Sequence, residues 1–336
     1  MDILTHGLLG GTLVQSCSNK SEVRASTTVG FFAALLADAD ALIRSSTDPL
    51  LTLEYHRQFT HSLLFIPFGA LLATLILWPV FMKFWHPFDF RRMYLFALLG
   101  CATSGFLDAC TSYGTHLLWP FTDERIAWSI VSIFDPIFSL ILVTATLLGL
   151  RWHKTQPARI GLFLAAAYLS IGWLQHQRAH DAIYATALLR GDTIERLTVK
   201  PTMGNLLLWR SIYRSGDIYH IDAVRVGLSE GGRIYPGTTV SAFDSLRDKP
   251  ELSTTSVLYD DIQRFDLFSD GYLALHKNDP GLLGDIRYAI LPTSAQPLWG
   301  IRLDLEYPDA HAQFETYRRM SRQEINQFIG MLKGED

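Results

Sequence analysis

In the first half of this 336-residue chain, acids and histidines stand at isolated points in otherwise apolar sequence. They are His6, the pair Asp38 and Asp40 in "LADAD", His56 and His61 in "HRQFTHS", and Asp108, His116 and Asp135. Histidine nitrogen and carboxylate oxygen bind Zn²⁺ at about 2.0–2.2 Å and need no cysteine beside them. Mixed sets of these ligands also take Mn²⁺ or Fe²⁺, and pairs of metals flank phosphate esters. An aspartate within an apolar segment is costly, faces a partner or a wet cavity, and marks a functional site. His56 and His61 are five residues apart, a poor spacing for one helix face, so a loop-to-helix corner must aim them together. Asp38 and Asp40 diverge by about 200° if helical. One is therefore expected to bind the metal while the other supports it from behind. Ser62, Ser104, Thr111 and Ser112 lack the Ser-His-Asp or Gly-x-Ser-x-Gly context of a nucleophile.

The elements that must carry these residues are apolar and long. Residues 62–82, 93–119 and 126–150 each exceed the roughly 20 residues that span a hydrocarbon core. Residues 158–174 form a shorter fourth candidate, and 3–14 and 27–43 are apolar but short. Charge divides the chain: 22 Asp, Glu, Lys and Arg residues fall in 1–174 and 40 in 175–336. The expected architecture is an α-helical membrane bundle over 1–174, with about four to six embedded segments. A soluble, mostly-β (α+β) domain over 175–336 follows it. With a net charge of −4 and no basic concentration, nucleic acid is not implied. The N-terminus lacks a basic region ahead of its apolar run and is expected to be retained.

Eight of the eleven Lys and Arg residues of the first half lie in the 18–28, 83–92 and 151–159 loops. The positive-inside rule assigns those loops to the cytoplasm. The C-terminal domain then lies outside, and His6, Asp38, Asp40, His56, His61, Asp108, His116 and Asp135 gather toward the outer leaflet. The same orientation turns an envelope-facing hydrolytic site into the leading expectation. An ion or proton transporter, and an envelope interaction protein with a structural metal site, are the alternatives.

After residue 174 the sequence predicts a helix, "HQRAHDAIYATALLRG", that stops at Gly191. Strand-like runs follow: "ERLTVKPT", "NLLLWRSIYR", "DIYHIDAVRVGL", "GYLALHK", "IRYAILP" and "LWGIRLDLEY". Gly, Pro, Asp and Asn turns separate them, as in an antiparallel sheet. A polar helix, "SRQEINQFIGMLKG", closes the chain. All three cysteines, Cys17, Cys101 and Cys110, precede this domain, so it has no disulfide framework. His176 and His180 share a helix face and read as a wet helix surface; His220, His276 and His311 have no partner at ligand spacing.

Taken together, "MDILTHGLLGG", "LLADAD", "HRQFTHSLL", "DACTSYGTHLLWPF" and "SIFDPIF" resemble the YdjM-type family of bacterial inner-membrane proteins, described as metal-dependent hydrolases. The resemblance covers roughly residues 1–150. It implies a site drawn from Asp2, His6, Asp38, Asp40, His56, His61, Asp108, His116 and Asp135. The resulting expectation is a multi-pass inner-membrane enzyme that cleaves an ester or phosphoester of a lipid or lipid-linked substrate, using a divalent metal, Zn²⁺ first. His6, Asp40, His56, His61, Asp108 and Asp2 are the expected ligands. Asp38, His116, Asp135 and Arg57 are expected to support the chemistry, with Arg57 on a phosphate oxygen.

Overall fold

A computed structural model of the chain describes residues 1–84, 88–227 and 232–335. Helix α1 (Ile3–Cys17) starts where the Asp2 carboxylate accepts the Thr5 N–H at 3.0 Å, a side-chain cap for an otherwise orphaned donor. Helix α2 (Val23–Leu35) runs on as a 3₁₀ turn, Leu36–Leu42. After the short α3 (Leu51–Tyr55) and a 3₁₀ turn at Phe59–His61 come α4 (Ile66–Phe84) and α5 (Phe90–Cys110). Helix α6 (Pro136–Trp152) begins with Asp135 as cap and proline in the first turn, and α7 (Gln156–Arg190) is the longest element.

Four helical segments are long and apolar enough to cross a membrane by length and composition: Val23–Leu42, Ile66–Phe84, Phe90–Cys110 and Gln156–Arg190. Two expected boundaries move. The segment predicted over 93–119 leaves the helix at Cys110, and the one predicted over 126–150 is helical only from Pro136. The chain between pairs with itself, through bridges Thr111–Val131 and Thr115–Ile126, and Gly114 turns at φ +73°. Those backbone pairings satisfy groups that a continuous helix would otherwise have bonded. The middle of the 83–92 loop lies outside the described residues.

The chain divides into two compact units. The first holds Met1–Ile43, Tyr55–Leu174 and Met203–Leu206. Inside it, α1, α2 and α5 meet at three glycines. A Cβ placed on Gly30 would stand 2.6 Å from the Gly10 carbonyl oxygen, and one on Gly100 would stand 2.6 Å from that of Gly30. Only glycine permits backbones to approach so closely, the small-residue packing of apolar helix bundles. Val14, Val29, Ala33, Met93 and Ala97 are fully buried beside this crossing. The Cys101 thiol and Ser104 hydroxyl donate to the Ala33 and Ala34 carbonyls and hold α5 against α2.

The second unit comprises Arg44–Glu54, Gln175–Thr202 and the chain from Leu207 onward. It contains two four-stranded antiparallel sheets in sequential order. The first joins β1 (Arg196–Pro201), β2 (Leu208–Ser215), β3 (Ile218–Arg225) and β4 (Arg233–Ser241). Ala179, Ile183 and Ala187 recur every four residues on α7 and bury themselves against Trp209, Tyr213 and Val224 of that sheet. Helices α8 (Ser245–Asp248) and α9 (Val257–Phe268) lead to the second sheet. It joins β5 (Leu273–His276), β6 (Asp279–Asp285), β7 (Trp299–Arg302) and β8 (Gln313–Thr316). Helix α10 (Arg322–Lys333) carries a capping box between Ser321 and Glu324.

The run "IRYAILP" is not a strand, contrary to expectation. Asp285 accepts the Arg287 backbone N–H and its guanidinium, while buried Arg210 donates to the Ile286, Leu291 and Pro292 carbonyls. Side chains thus take the carbonyls that a neighbouring strand would have bonded. Strands β4, β6 and β8 and helix α9 went unpredicted, and Pro236 sits inside β4, where it discourages a strand reading. Leu228, at the end of the third predicted strand, lies outside the described residues.

Candidate metal centre

Five segments deliver polar side chains to one end of the glycine crossing. His6 lies one turn before Gly10 on α1, and Asp108 lies in the last turn of α5, two turns beyond Gly100. Asp38 and Asp40 sit on the 3₁₀ turn after α2, and His56 to His61 form the corner that enters α4. At that corner a Cβ on Gly105 would stand 2.2 Å from the His61 carbonyl oxygen, so glycine lets the corner press onto α5.

His6, His61 and Asp108 are buried, and one ligand atom from each lies within 4.8 Å of the other two. His6 Nε2 is 3.1 Å from Asp108 Oδ1, and His61 Nε2 is 3.1 Å from Asp108 Oδ2. Asp38 Oδ1 adds a fourth oxygen, 3.6 Å from His61 Nε2. His61 Nε2, Asp108 Oδ2 and Asp38 Oδ2 are buried without a hydrogen-bond partner among the described residues. Buried polar atoms are normally satisfied. Two imidazole nitrogens and two carboxylates with unused lone pairs therefore fit a divalent cation by donor chemistry. The Met1 amino group also pairs with Asp108.

Asp40 is spent differently. Its carboxylate takes the His56 Nδ1 contact at 3.0 Å and accepts the Arg57 N–H and the Thr60 hydroxyl at 2.7 Å each. It also lies 3.4 Å from His61 Nδ1. A carboxylate behind one imidazole nitrogen orients the ring and presents the other nitrogen forward. Here the forward nitrogen is Nε2, toward Asp38 and Asp108. Burial opposes a charge on His61, but hydrogen bonding to Asp108, Asp38 and Asp40 outweighs it and raises its pKa to about 10. Three carboxylates around one imidazole create a place where positive charge is strongly favoured.

The remaining sequence candidates stand apart from the His6–His61–Asp108 group. Asp2 caps α1, its second oxygen taken by the Thr5 hydroxyl at 2.6 Å. Asp135 caps α6 through the Phe138 N–H and accepts the Tyr168 hydroxyl on both oxygens, at 3.1 and 3.0 Å. Burial raises the Asp135 pKa against those hydrogen bonds. His56 is bonded to Asp40 and its side chain is 28% exposed. His116 gives its backbone N–H to the Arg57 carbonyl, while burial and nearby Arg125 push its ring pKa down to about 4. Arg57 Nε approaches Asp108 Oδ2 at 3.1 Å and its guanidinium lies against the Tyr113 ring.

Thr60, Tyr113 and Arg125 escaped the sequence reading because hydroxyl, phenol and guanidinium groups are not metal ligands by type. In the second unit, Asp48, Asp261 and His311 also place ligand atoms within 4.8 Å. Arg264 already occupies that group, bonding Asp48 and Asp261 at 2.8 Å each and pairing with Glu54. A guanidinium supplies the counter-charge there, so it reads as an ion-pair network. His176 lies against the Trp209 ring and His180 against Tyr184.

Residues 1–179 match the family described as YdjM inner membrane protein. The chain belongs to the YdjM family. The match contains every segment that feeds the His6–His61–Asp108 group and ends within α7. A relative, "Uncharacterized protein YfhP" of Bacillus subtilis (strain 168), is 23% identical over 173 residues, 49% of each chain. The chain thus spans about half the length of this curated relative. No solved structure matches.

Proposed function

We propose that this YdjM-family protein is an inner-membrane, metal-dependent hydrolase acting on an ester or phosphoester of a lipid or lipid-linked substrate. The observation that carries the reading is the convergence of His6, His61, Asp108 and Asp38 with buried lone pairs left over. His6 Nε2, His61 Nε2 and the Asp108 carboxylate would hold the cation, and Asp38 is placed to join them. A bound Zn²⁺ lowers the pKa of water toward about 7 and stabilises negative charge on a substrate oxygen.

The chain's own residues divide the remaining work. Asp40 fixes the tautomer and direction of His61. Arg57 holds the Asp108 carboxylate from the other side. Asp38 is the most accessible of the three carboxylates, its side chain 11% exposed against 0% for Asp40 and Asp108. Its unpartnered Oδ2 is placed to accept a proton from attacking water. The distribution of basic loops supports an outward-facing site and an extracytoplasmic C-terminal domain.

The test is metal analysis of the purified full chain together with a phosphodiesterase, phosphomonoesterase and esterase panel. Stoichiometric Zn²⁺, lost together with hydrolysis in His61→Ala, is the expected result. Normally folded protein that stays metal-free after exposure to Zn²⁺, Mn²⁺ and Fe²⁺ overturns the reading. So does metal-dependent ion flux in liposomes without hydrolysis.

A further inference from the structure

Arg57 is placed at a cost that neither fold nor metal ligation explains. Its backbone adopts φ +62°, a left-handed conformation that L residues rarely hold. Both neighbouring peptide groups are clamped in that state. Asp40 accepts its N–H at 2.7 Å, and its carbonyl accepts the His116 N–H at 3.1 Å and the Thr115 hydroxyl at 2.9 Å. The residue is only 5% exposed. Its Nη2 donates to the Met1 carbonyl at 3.0 Å, but Nη1 has no hydrogen-bond partner among the described residues. Leaving a buried charged donor unmade costs about 1–3 kcal/mol or more, which is hard to reconcile with a purely structural role.

The surroundings indicate what Nη1 is kept for. The Arg57 guanidinium carbon lies 4.9 Å from the centre of the Tyr113 ring, and that of Arg125 lies 5.0 Å from the same ring. The His56 ring is 5.8 Å from Tyr113. Tyr113 and Arg125 are half-buried, so the group grades from a buried cation to partly exposed ones. An aromatic ring holds guanidinium planes without neutralising them, leaving their N–H edges for an oxyanion.

We propose that Arg57 and Arg125, ordered on Tyr113, form an oxyanion receptor beside the His6–His61–Asp108 group and select a phosphoester over a carboxyl ester. This rests on the hydrolase reading for the reaction, though not for anion binding. A phosphoester carries charged non-bridging oxygens that can meet a cation and two guanidiniums together. A carboxyl ester is neutral and offers one carbonyl oxygen, which leaves the second cation without a partner. Phosphate from a lipid headgroup and phosphate on a soluble ester present the same chemistry here.

Calorimetric titration of inorganic phosphate into the purified full chain tests this, with Zn²⁺ added and again after chelation. The expected result is binding of phosphate in preference to acetate, weakened about tenfold or more in Arg57→Gln and severalfold in Arg125→Gln. Arg57 touches Asp108, so Arg57→Gln can disturb folding; Arg125→Gln, with an unchanged melt and Zn²⁺ content, then carries the test. Undiminished phosphate affinity in a folded Arg125→Gln protein overturns the proposal, as does acetate binding equal to phosphate. A wild type that takes up no Zn²⁺ defeats the hydrolase reading, while phosphate binding to the chelated protein still decides the receptor. Competition by phosphatidic acid nanodiscs, but not phosphatidylcholine ones, supports the receptor with a lipid source. Competition by glycerol 3-phosphate alone supports it with a soluble one.

Discussion

Asp40→Asn separates a ligand from the carboxylate behind it. The substitution preserves shape but removes the charge and one accepting oxygen, and it turns an NH₂ group toward partners that are themselves donors. Asp40 receives three contacts at 3.0 Å or less, from His56 Nδ1, the Arg57 N–H and the Thr60 hydroxyl. A hydrogen bond to a charged group contributes about 1.5–3 kcal/mol. Asparagine can still accept one or two of the three, so the expected loss is about 2–4 kcal/mol in the metal-free protein. His61 loses the carboxylate behind Nδ1, and metal affinity is expected to fall about 10–100-fold while binding persists. Chelator competition measures the affinity and thermal unfolding in detergent the stability. His61→Ala and Asp108→Asn, in contrast, should abolish stoichiometric metal. An Asp40→Asn protein with wild-type affinity and stability would refute the reasoning. Complete metal loss in a folded Asp40→Asn protein would refute it too, by making Asp40 a ligand.

Gly30→Ala places a methyl 2.6 Å from the Gly10 carbonyl oxygen and the Val14 side chain, and overpacking of this kind costs about 1–3 kcal/mol. A lowered melting temperature and weakened metal retention are expected, because α1, α2 and α5 all carry site residues; an unchanged melt counts against the glycine crossing. Lys200 is buried, and burial together with Arg287 lowers its pKa from 10.5 to about 7. Between those values the unfolded state binds the extra proton, so stability rises with pH from about 7 to 10.5. Lys200→Met should stabilise the second unit most at or below pH 7, by at most about 5 kcal/mol, with the gain fading toward pH 10.5. Denaturant unfolding across that range checks it, and a gain independent of pH contradicts the assigned cause.

The sequence determined the chemistry in stock. Uninterrupted apolar runs with few charges predict long helices, because buried helical backbone satisfies its own hydrogen bonds. Alternating β-branched and aromatic runs predict β1, β2, β3, β5 and β7 for similarly local reasons. The types of His6, His61, Asp38, Asp40 and Asp108 limit the metals they suit, whatever their arrangement. Tertiary structure alone decided how these residues are used. Asp38 and Asp40 are two residues apart, and only the 3₁₀ turn and the arriving His56–His61 corner separate one facing His61 Nε2 from one behind Nδ1. Asp2 and Asp135 look like further ligands in sequence, yet each begins a helix whose first amides claim its oxygens. Tyr113 and Arg125 gain meaning only beside Arg57, whose left-handed backbone is held by contacts from Asp40 and from Thr115 and His116. Residue type is a property of each position, but the direction of a side chain depends on which distant segment arrives to meet it.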